Sequence, residues 1–520
     1  MDIEIFDSTL RDGAQGESIS FSVEDKLSIV KALDDIGVPY IEAGNPFSNP
    51  KDIDFFKKAN DMRLKHSVLV AFGSTRRKGL TAEDDSNLAA LLSAETKAVA
   101  IFGKSWLLHV EEILKTDAQT NLEMISDTVS FLKKHGKTVF FDAEHFFDGY
   151  KNNSEYALAS LSAAQKAGAD RIVLCDTNGS SMPDEIFEIT KTVCEKINCP
   201  IGIHTHNDGA MATANSIMAV KAGATHIQGT FLGFGERCGN CALSSVIPNL
   251  QLKLGLNCLP KGKLSLLTPT ARKIAEITNI SIKRNEPFIG TSAFAHKAGM
   301  HADGVLKIPK SFEHIDPNSV GNERKILTSE IAGRGAILCK IQEINPHINK
   351  DSKETIAILN KLKELESFGY QFEGAEASFE MLIRRELGAY KKFFEIINYK
   401  IITGRPCEIN LSTTAVVKIK VGDKTQVMAA EGNGPINAFD RALRFALEVF
   451  YPRLTKMRLI DYKVRVMDSK QATASSVRVL ITSTDSKHIW TTVGVSGDVV
   501  DASRIALVES LEYKLLRDSH

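Results

Sequence analysis

The 520-residue sequence predicts an α/β protein: a (β/α)8 barrel, then a mixed helical linker region, then a C-terminal α+β domain. Three observations carry this reading. Eight short apolar runs alternate with eight amphipathic stretches over the first 255 residues. Several of those runs are entered through the same phrase, a helix end followed by glycine, as in DIGVPYIE, KHGKTVFF, KAGADRIV and KAGATHIQ. After residue 395 the pattern changes to β-branched segments alternating with period two.

The predicted barrel strands are IEIFD (3–7), YIEAG (40–44), SVLVAF (67–72), AVAIFG (98–103), TVFFDA (138–143), RIVLCD (171–176), IGIHTH (201–206) and HIQGTF (226–231). Apolar runs this continuous suit parallel strands covered on both faces. Gly37, Gly136, Gly168 and Gly223 fit the left-handed position that closes a helix. A doubly wound open sheet would want a glycine-rich phosphate loop after its first strand, and DSTLRDG is not one. The boundaries read as 1–255 for the barrel, 256–395 for linker subdomains that cover its mouth, and 396–520 for the last domain. In that domain, STTAVVKIKV, KTQVMAAEG, MRLIDYKVRVM, SSVRVLITST and HIWTTVGV are strands, and 436–450 and 501–516 are helices. Each helix follows a set of strands, which reads as a duplicated unit.

Composition narrows the function. Lys plus Arg and Asp plus Glu are 64 each, so no net charge favours nucleic acid or an anionic membrane as partner. No apolar run approaches the roughly 20 residues of a membrane span, and the acidic start MDIEIFDSTL is unlike a signal peptide. Eight scattered cysteines fit reduced thiols and a cytoplasmic setting. The single CxxC, Cys238 and Cys241, lacks the second pair of a zinc ribbon.

Barrel chemistry gathers at the C-terminal ends of the strands. Here those ends carry Asp7, Arg11 and Asp12; Glu42, Asn45 and Pro46; Glu144 and His145; Asp176 and Thr177; His204 and His206; and GFGERCGN (233–240). His204 and His206, two apart on a strand, face the same side. Asp12 from the first strand and Asn240 from the loop after the eighth can reach them, which makes two imidazoles, one carboxylate and one amide. That donor set suits a divalent metal, with zinc, manganese and magnesium all open. The plain alternative is a core-bonded histidine pair with Asp12 in an ion pair to Arg11. The basic run Arg76, Arg77 and Lys78 reads either as a phosphate contact or as a solvated face.

FDSTLRDGAQ, EAGNPFSNP, FDAEHFFDGYK, CDTNG, GIHTHND, GFGERCGN and HKAGMHADGVLK together resemble the acyl-CoA-condensing branch of the DRE-TIM metallolyase superfamily. That branch holds the 2-isopropylmalate, homocitrate and citramalate synthases. SFSVEDK, SNPKD, AFGSTRRKG, FGKSWLLHV and AEHFFDGYK are most similar to its citramalate synthase lineage. The resemblance implies a TIM barrel with a C-terminal regulatory, dimer-forming domain. It also implies a metal-dependent condensation of acetyl-CoA, as co-substrate, with a keto acid. Pyruvate and an (R)-citramalate product for isoleucine biosynthesis are expected. It further implies Arg11 on the keto oxygen, Thr177 on the substrate carboxylate, and Glu42 and Asn45 beside the substrate. A base couple of His301 and Glu144, a homodimer, and an isoleucine effector at Gly432 and Gly434 complete the expectation. Phe312 departs from the family, which often has tyrosine there. A 2-isopropylmalate synthase using 2-ketoisovalerate, a barrel lyase and a non-catalytic amino-acid sensor remain the alternatives.

Overall fold

Strands β1 (Glu4–Asp7), β2 (Tyr40–Glu42), β3 (Val68–Ser74), β4 (Ala98–Lys104), β5 (Thr138–Glu144), β6 (Arg171–Asp176), β7 (Ile201–Thr205) and β8 (His226–Gly229) close a barrel in sequence order. Every neighbouring pair is parallel, and β8 returns to β1 with Asp7 opposite Gly229. The predicted barrel is present, each strand lying within three residues of its sequence-derived bounds. The glycines read as helix ends, Gly37, Gly136, Gly168 and Gly223, all hold positive φ, from 72° to 117°. The first helix, Val23–Ile36, starts in a capping box between Ser22 and Asp25 and stops at Gly37.

The structure is a computed structural model. It describes residues 2–296, 304–305, 307–326, 334–349, 351–372, 374–404, 413–467, 476–485 and 488–519. The chain forms two compact units. The first comprises residues 1–294 and 313–324, and the second 295–312 and 325–520.

Within the first unit a large apolar layer lies between strands and helices, and a smaller one fills the barrel itself around Phe6, Val70, Ala98, Ala100 and Phe140. At the N-terminal end of the barrel, His226 lies 5.2 Å from Phe140 and 5.4 Å from Phe6, ring centre to ring centre. Glu4 there takes a two-pronged ion pair from Arg171, at 2.8 Å on each oxygen. The polar plug leaves the opposite, C-terminal mouth free for chemistry.

In the second unit, β9 (Ala295–His296) and β10 (Lys325–Ile326) pair as a minimal sheet. Two three-stranded antiparallel sheets follow: β11 (Glu395–Thr403), β12 (Thr413–Val421) and β13 (Lys424–Gly432), then β14 (Arg458–Val466), β15 (Val477–Thr484) and β16 (Ile489–Ser496). Helices Pro435–Glu448 and Val499–Asp518 follow them in turn. The duplication is therefore three strands and a helix, twice. The sequence reading did not include strand β11, in which a bulge lies between Ile396 and Asn398. A bulge at Leu459/Asp461 marks the same place in β14. Among the described residues no helix is long and apolar enough to cross a membrane.

Candidate active site

β1 and β7 bring their polar ends together because the barrel closes through β8, which lies between them. Asp12, His204 and His206 are all buried, and their ligating atoms lie within 4.8 Å of one another. The Asp12 Oδ2 is 3.6 Å from His204 Nε2 and 3.9 Å from His206 Nε2. The two Nε2 atoms are 3.4 Å apart. Asn240 joins them through a bridge between its backbone and that of His206, and its Nδ2 lies 3.1 Å from His204 Nε2. Gly235 is required beside them, since a Cβ there would strike Asn240 Oδ1 and come within 3.0 Å of Asp12 Oδ1.

The electrostatics suit a cation. Burial pushes both imidazoles down, His206 to about 4 with help from His204, so both are neutral at pH 7 and offer lone pairs. Burial would raise Asp12, yet Arg11 and the two histidines hold its carboxyl below the usual range. The buried oxygens Asp12 Oδ1 and Asn240 Oδ1 have no hydrogen-bond partner among the described residues. Unmet buried acceptors are costly, and a divalent cation would satisfy such a set. The residues fit the metal. Among the described residues this is the one cluster of His, Cys, Asp and Glu with that geometry. Cys238 is exposed, whereas Cys241 is buried with its thiol against the Gln228 carbonyl at 3.2 Å.

Arg11 is aimed at the same spot. Its Nε donates to Glu42 Oε2 at 2.6 Å, its Nη1 to Asp12 Oδ2 at 2.9 Å, and its plane lies 3.9 Å from the Phe72 ring centre. Ser8 also donates to Glu42, so that carboxylate serves to hold β1's loop and Arg11 in place. Asn45 spends its side-chain oxygen on a turn, accepting from the N–H groups of Phe47 and Ser48, while its own N–H donates to Asp52 at 2.9 Å. The loop it shapes lines a 300 Å³ cavity together with Arg11 and Phe72.

Thr177 Oγ1 accepts from the His145 N–H at 2.9 Å, which leaves its hydroxyl hydrogen to donate elsewhere. His145 adopts a left-handed backbone, φ 53°, where β5 turns sharply into its loop. Glu144 at the end of β5 is held by Lys104 from the end of β4. Arg237 (φ 54°) donates to Asp208 at 2.9 and 3.0 Å and to the Thr177 carbonyl at 2.6 Å, tying three loops together. His301 lies outside the described residues. Arg76 pairs with Asp127, Arg77 with Asp85, and Lys78 with the Lys115 carbonyl, so each cation of that run is engaged within the fold.

The sequence reading passed over Lys104, Asp142, Gln228 and Arg237. Their signal was a polar residue within or just after a buried strand, as in TVFFDA and HIQGTF, but strand pairing alone reveals their partners.

Residues 2–275, more than half of the chain, match the HMGL-like family. Residues 288–368 match the homocitrate synthase post-HMGL domain-like family, and 373–515 the LeuA allosteric (dimerisation) domain. The (R)-citramalate synthase of Aquifex aeolicus is 52% identical over 99% of this chain and 98% of its own. That of Geobacter sulfurreducens is 50% identical over 99% and 97%, and that of Synechocystis 47% over 98% and 96%. Likeness of this degree runs through barrel, linker and tail alike, and the chain belongs to the (R)-citramalate synthase family.

Proposed function

We propose that this protein condenses acetyl-CoA with pyruvate and hydrolyses the thioester, giving (R)-citramalate and CoA. The observation that carries this reading is the convergence of Asp12, His204 and His206 beside Arg11, in a chain whose relatives bear that name over their whole length. Acetyl-CoA gives up a methyl proton, the resulting carbon attacks C2 of the keto acid, and the keto oxygen ends as a hydroxyl. Water then cleaves the thioester and the CoA thiol leaves. Asp12, His204 and His206, with Asn240 beside them, would hold a divalent cation, which would supply Lewis-acid polarisation of the keto group.

Arg11, fixed by Glu42, stabilises the developing negative charge with a planar, permanently charged fork. Thr177 donates its hydroxyl to the substrate carboxylate, since its lone pair is already taken by His145. Asn45 shapes the loop bordering the substrate and Glu42 orients Arg11 there. Glu144, paired with Lys104, and His301 are assigned as the base couple. We read residues 1–255 as the catalytic domain, 256–395 as the linker and 396–520 as the regulatory domain. Exposed apolar residues on β11 (Ile397, Ile402) and β14 (Ile460, Val464, Val466) support a homodimer. An isoleucine effector fits the turn at Gly434, which has open space beside it at the start of helix Pro435–Glu448, while Gly432 packs against Ala438. Six free cysteines among the described residues support a cytoplasmic setting.

The test is thiol release from acetyl-CoA across pyruvate, 2-ketobutyrate, 2-ketoisovalerate, 2-ketoglutarate and glyoxylate, before and after metal stripping. Pyruvate is expected to be preferred, with activity lost on stripping and regained on adding Mn2+. A preference for 2-ketoisovalerate, or turnover that ignores metal, overturns the reading.

A further inference from the structure

His204 is the metal-cluster residue with a complete set of partners behind it, and those partners come from two other strands. Its Nδ1 lies 2.9 Å from Gln228 Oε1, on the adjoining β8. Gln228 Nε2 in turn donates to Asp142 Oδ1 at 2.9 Å, on β5 across the barrel. Gln228 is fully buried, and Asp142 and His204 are 4% and 5% exposed, so water does not compete for these bonds. The chain of three has a direction. Asp142 Oδ1 accepts from the Gln228 NH2 whether the acid is ionised or carries its proton on the other oxygen, so the amide NH2 is turned to Asp142. Its carbonyl then faces His204, and only the Nδ1–H tautomer of the imidazole meets it. That tautomer leaves the lone pair on Nε2, on the side where Asp12, His206 and the Asn240 Nδ2 at 3.1 Å converge.

We infer that Gln228 and Asp142 are positioning residues for the metal centre, acting as a polarity relay that fixes His204 as an Nε2 donor. The inference rests on the metal-dependent reading above and adds two residues to it. Nothing about the barrel's packing asks for this amide: its neighbours along β8 are Ile227 and Gly229, and a leucine has nearly the same volume. Burying a glutamine costs free energy unless its bonds are made, and here they are made to a proposed ligand on one side and a buried acid on the other. Burial and the neighbouring Glu42 push the Asp142 carboxyl up to about 8, and a cation bound nearby would bring it back down. Partners that orient a metal-bound imidazole typically change metal affinity about 10- to 100-fold when removed.

The experiment measures Mn2+ affinity of the full chain by electron paramagnetic resonance of free Mn2+, with thermal unfolding as a check on folding. Gln228→Leu is expected to bind Mn2+ about 10- to 100-fold more weakly while folding normally. The decisive variant is the swap Gln228→Glu with Asp142→Asn. It reverses the groups but keeps the direction, since the amide at 142 now donates to the carboxylate at 228, which still accepts from His204 Nδ1–H. The swap is expected to bind within about threefold of the unaltered chain, whereas a role in packing alone would leave Gln228→Leu, of nearly the same volume, binding as tightly. Gln228→Leu binding as tightly as the unaltered chain overturns the relay, as does a swap no better than Gln228→Leu. If the unaltered chain itself binds no Mn2+, or binds it equally after His206→Ala, the metal reading fails instead, and the two failures are told apart.

Discussion

Lys26 and Asp52 form an ion pair beneath the loop that follows β2, with each side chain only 7% exposed. Lys26 Nζ also donates to the Ala43 carbonyl at 2.8 Å, and the second Asp52 oxygen accepts from the Asn45 N–H at 2.9 Å. Gly44, at φ 135°, lets the backbone lie against this carboxylate. Asp52→Ala would strand the ammonium group without its counter-charge, at a cost of about 3–5 kcal/mol. It would also release the Asn45 N–H, worth about 1–3 kcal/mol if water does not replace the bond. Removing both charges in Lys26→Met with Asp52→Leu leaves the second loss and that of the Lys26 bond to the Ala43 carbonyl, about 1 kcal/mol, so the double variant should still be about 2 kcal/mol or more stabler than Asp52→Ala.

The chain has two tryptophans, Trp106 in the barrel unit and Trp490 in the other. Urea unfolding followed by fluorescence in a Trp490→Phe background therefore reports on the barrel alone. The Michaelis constant for the keto acid should rise in Asp52→Ala, because the loop bordering the Arg11 cavity loses its anchor. A single variant that costs less than 1 kcal/mol, or a double variant whose cost is the sum of its singles, would refute the argument.

Arg11→Lys keeps the charge but loses the fork that meets Glu42, Asp12 and the substrate together; a fall in kcat of about 10²- to 10³-fold is expected, with folding intact by circular dichroism. Acid stability gives an independent check at the other end of the barrel. Against burial, which raises it, His226 and Arg171 hold Glu4 down at about 2. The stability this supplies is fully present above the unfolded value of 4.5 and is lost as pH falls through about 2. In Arg171→Met the Glu4 carboxyl protonates at higher pH, so acid unfolding of the barrel should begin nearer pH 4.5; an unchanged acid transition would remove Glu4 from the account.

Much of this protein is written locally. Apolar runs of five or six residues, helix ends marked by Gly37, Gly136, Gly168 and Gly223, and polar residues at strand ends are short-range signals, which is why barrel, strand bounds and the Asp12, His204 and His206 set were legible in the sequence. Strand β11 was not read, although its bulge between Ile396 and Asn398 has a counterpart in β14, which was. Nor could the sequence assign work to Glu42, Arg76 or Gln228. A carboxylate, a guanidinium or an amide makes its contribution through partners 31, 51 and 86 positions away in the chain. Barrel closure decides which of those partners meet, and whether a polar side chain faces the reacting atoms, a neighbouring turn or another residue's ring nitrogen.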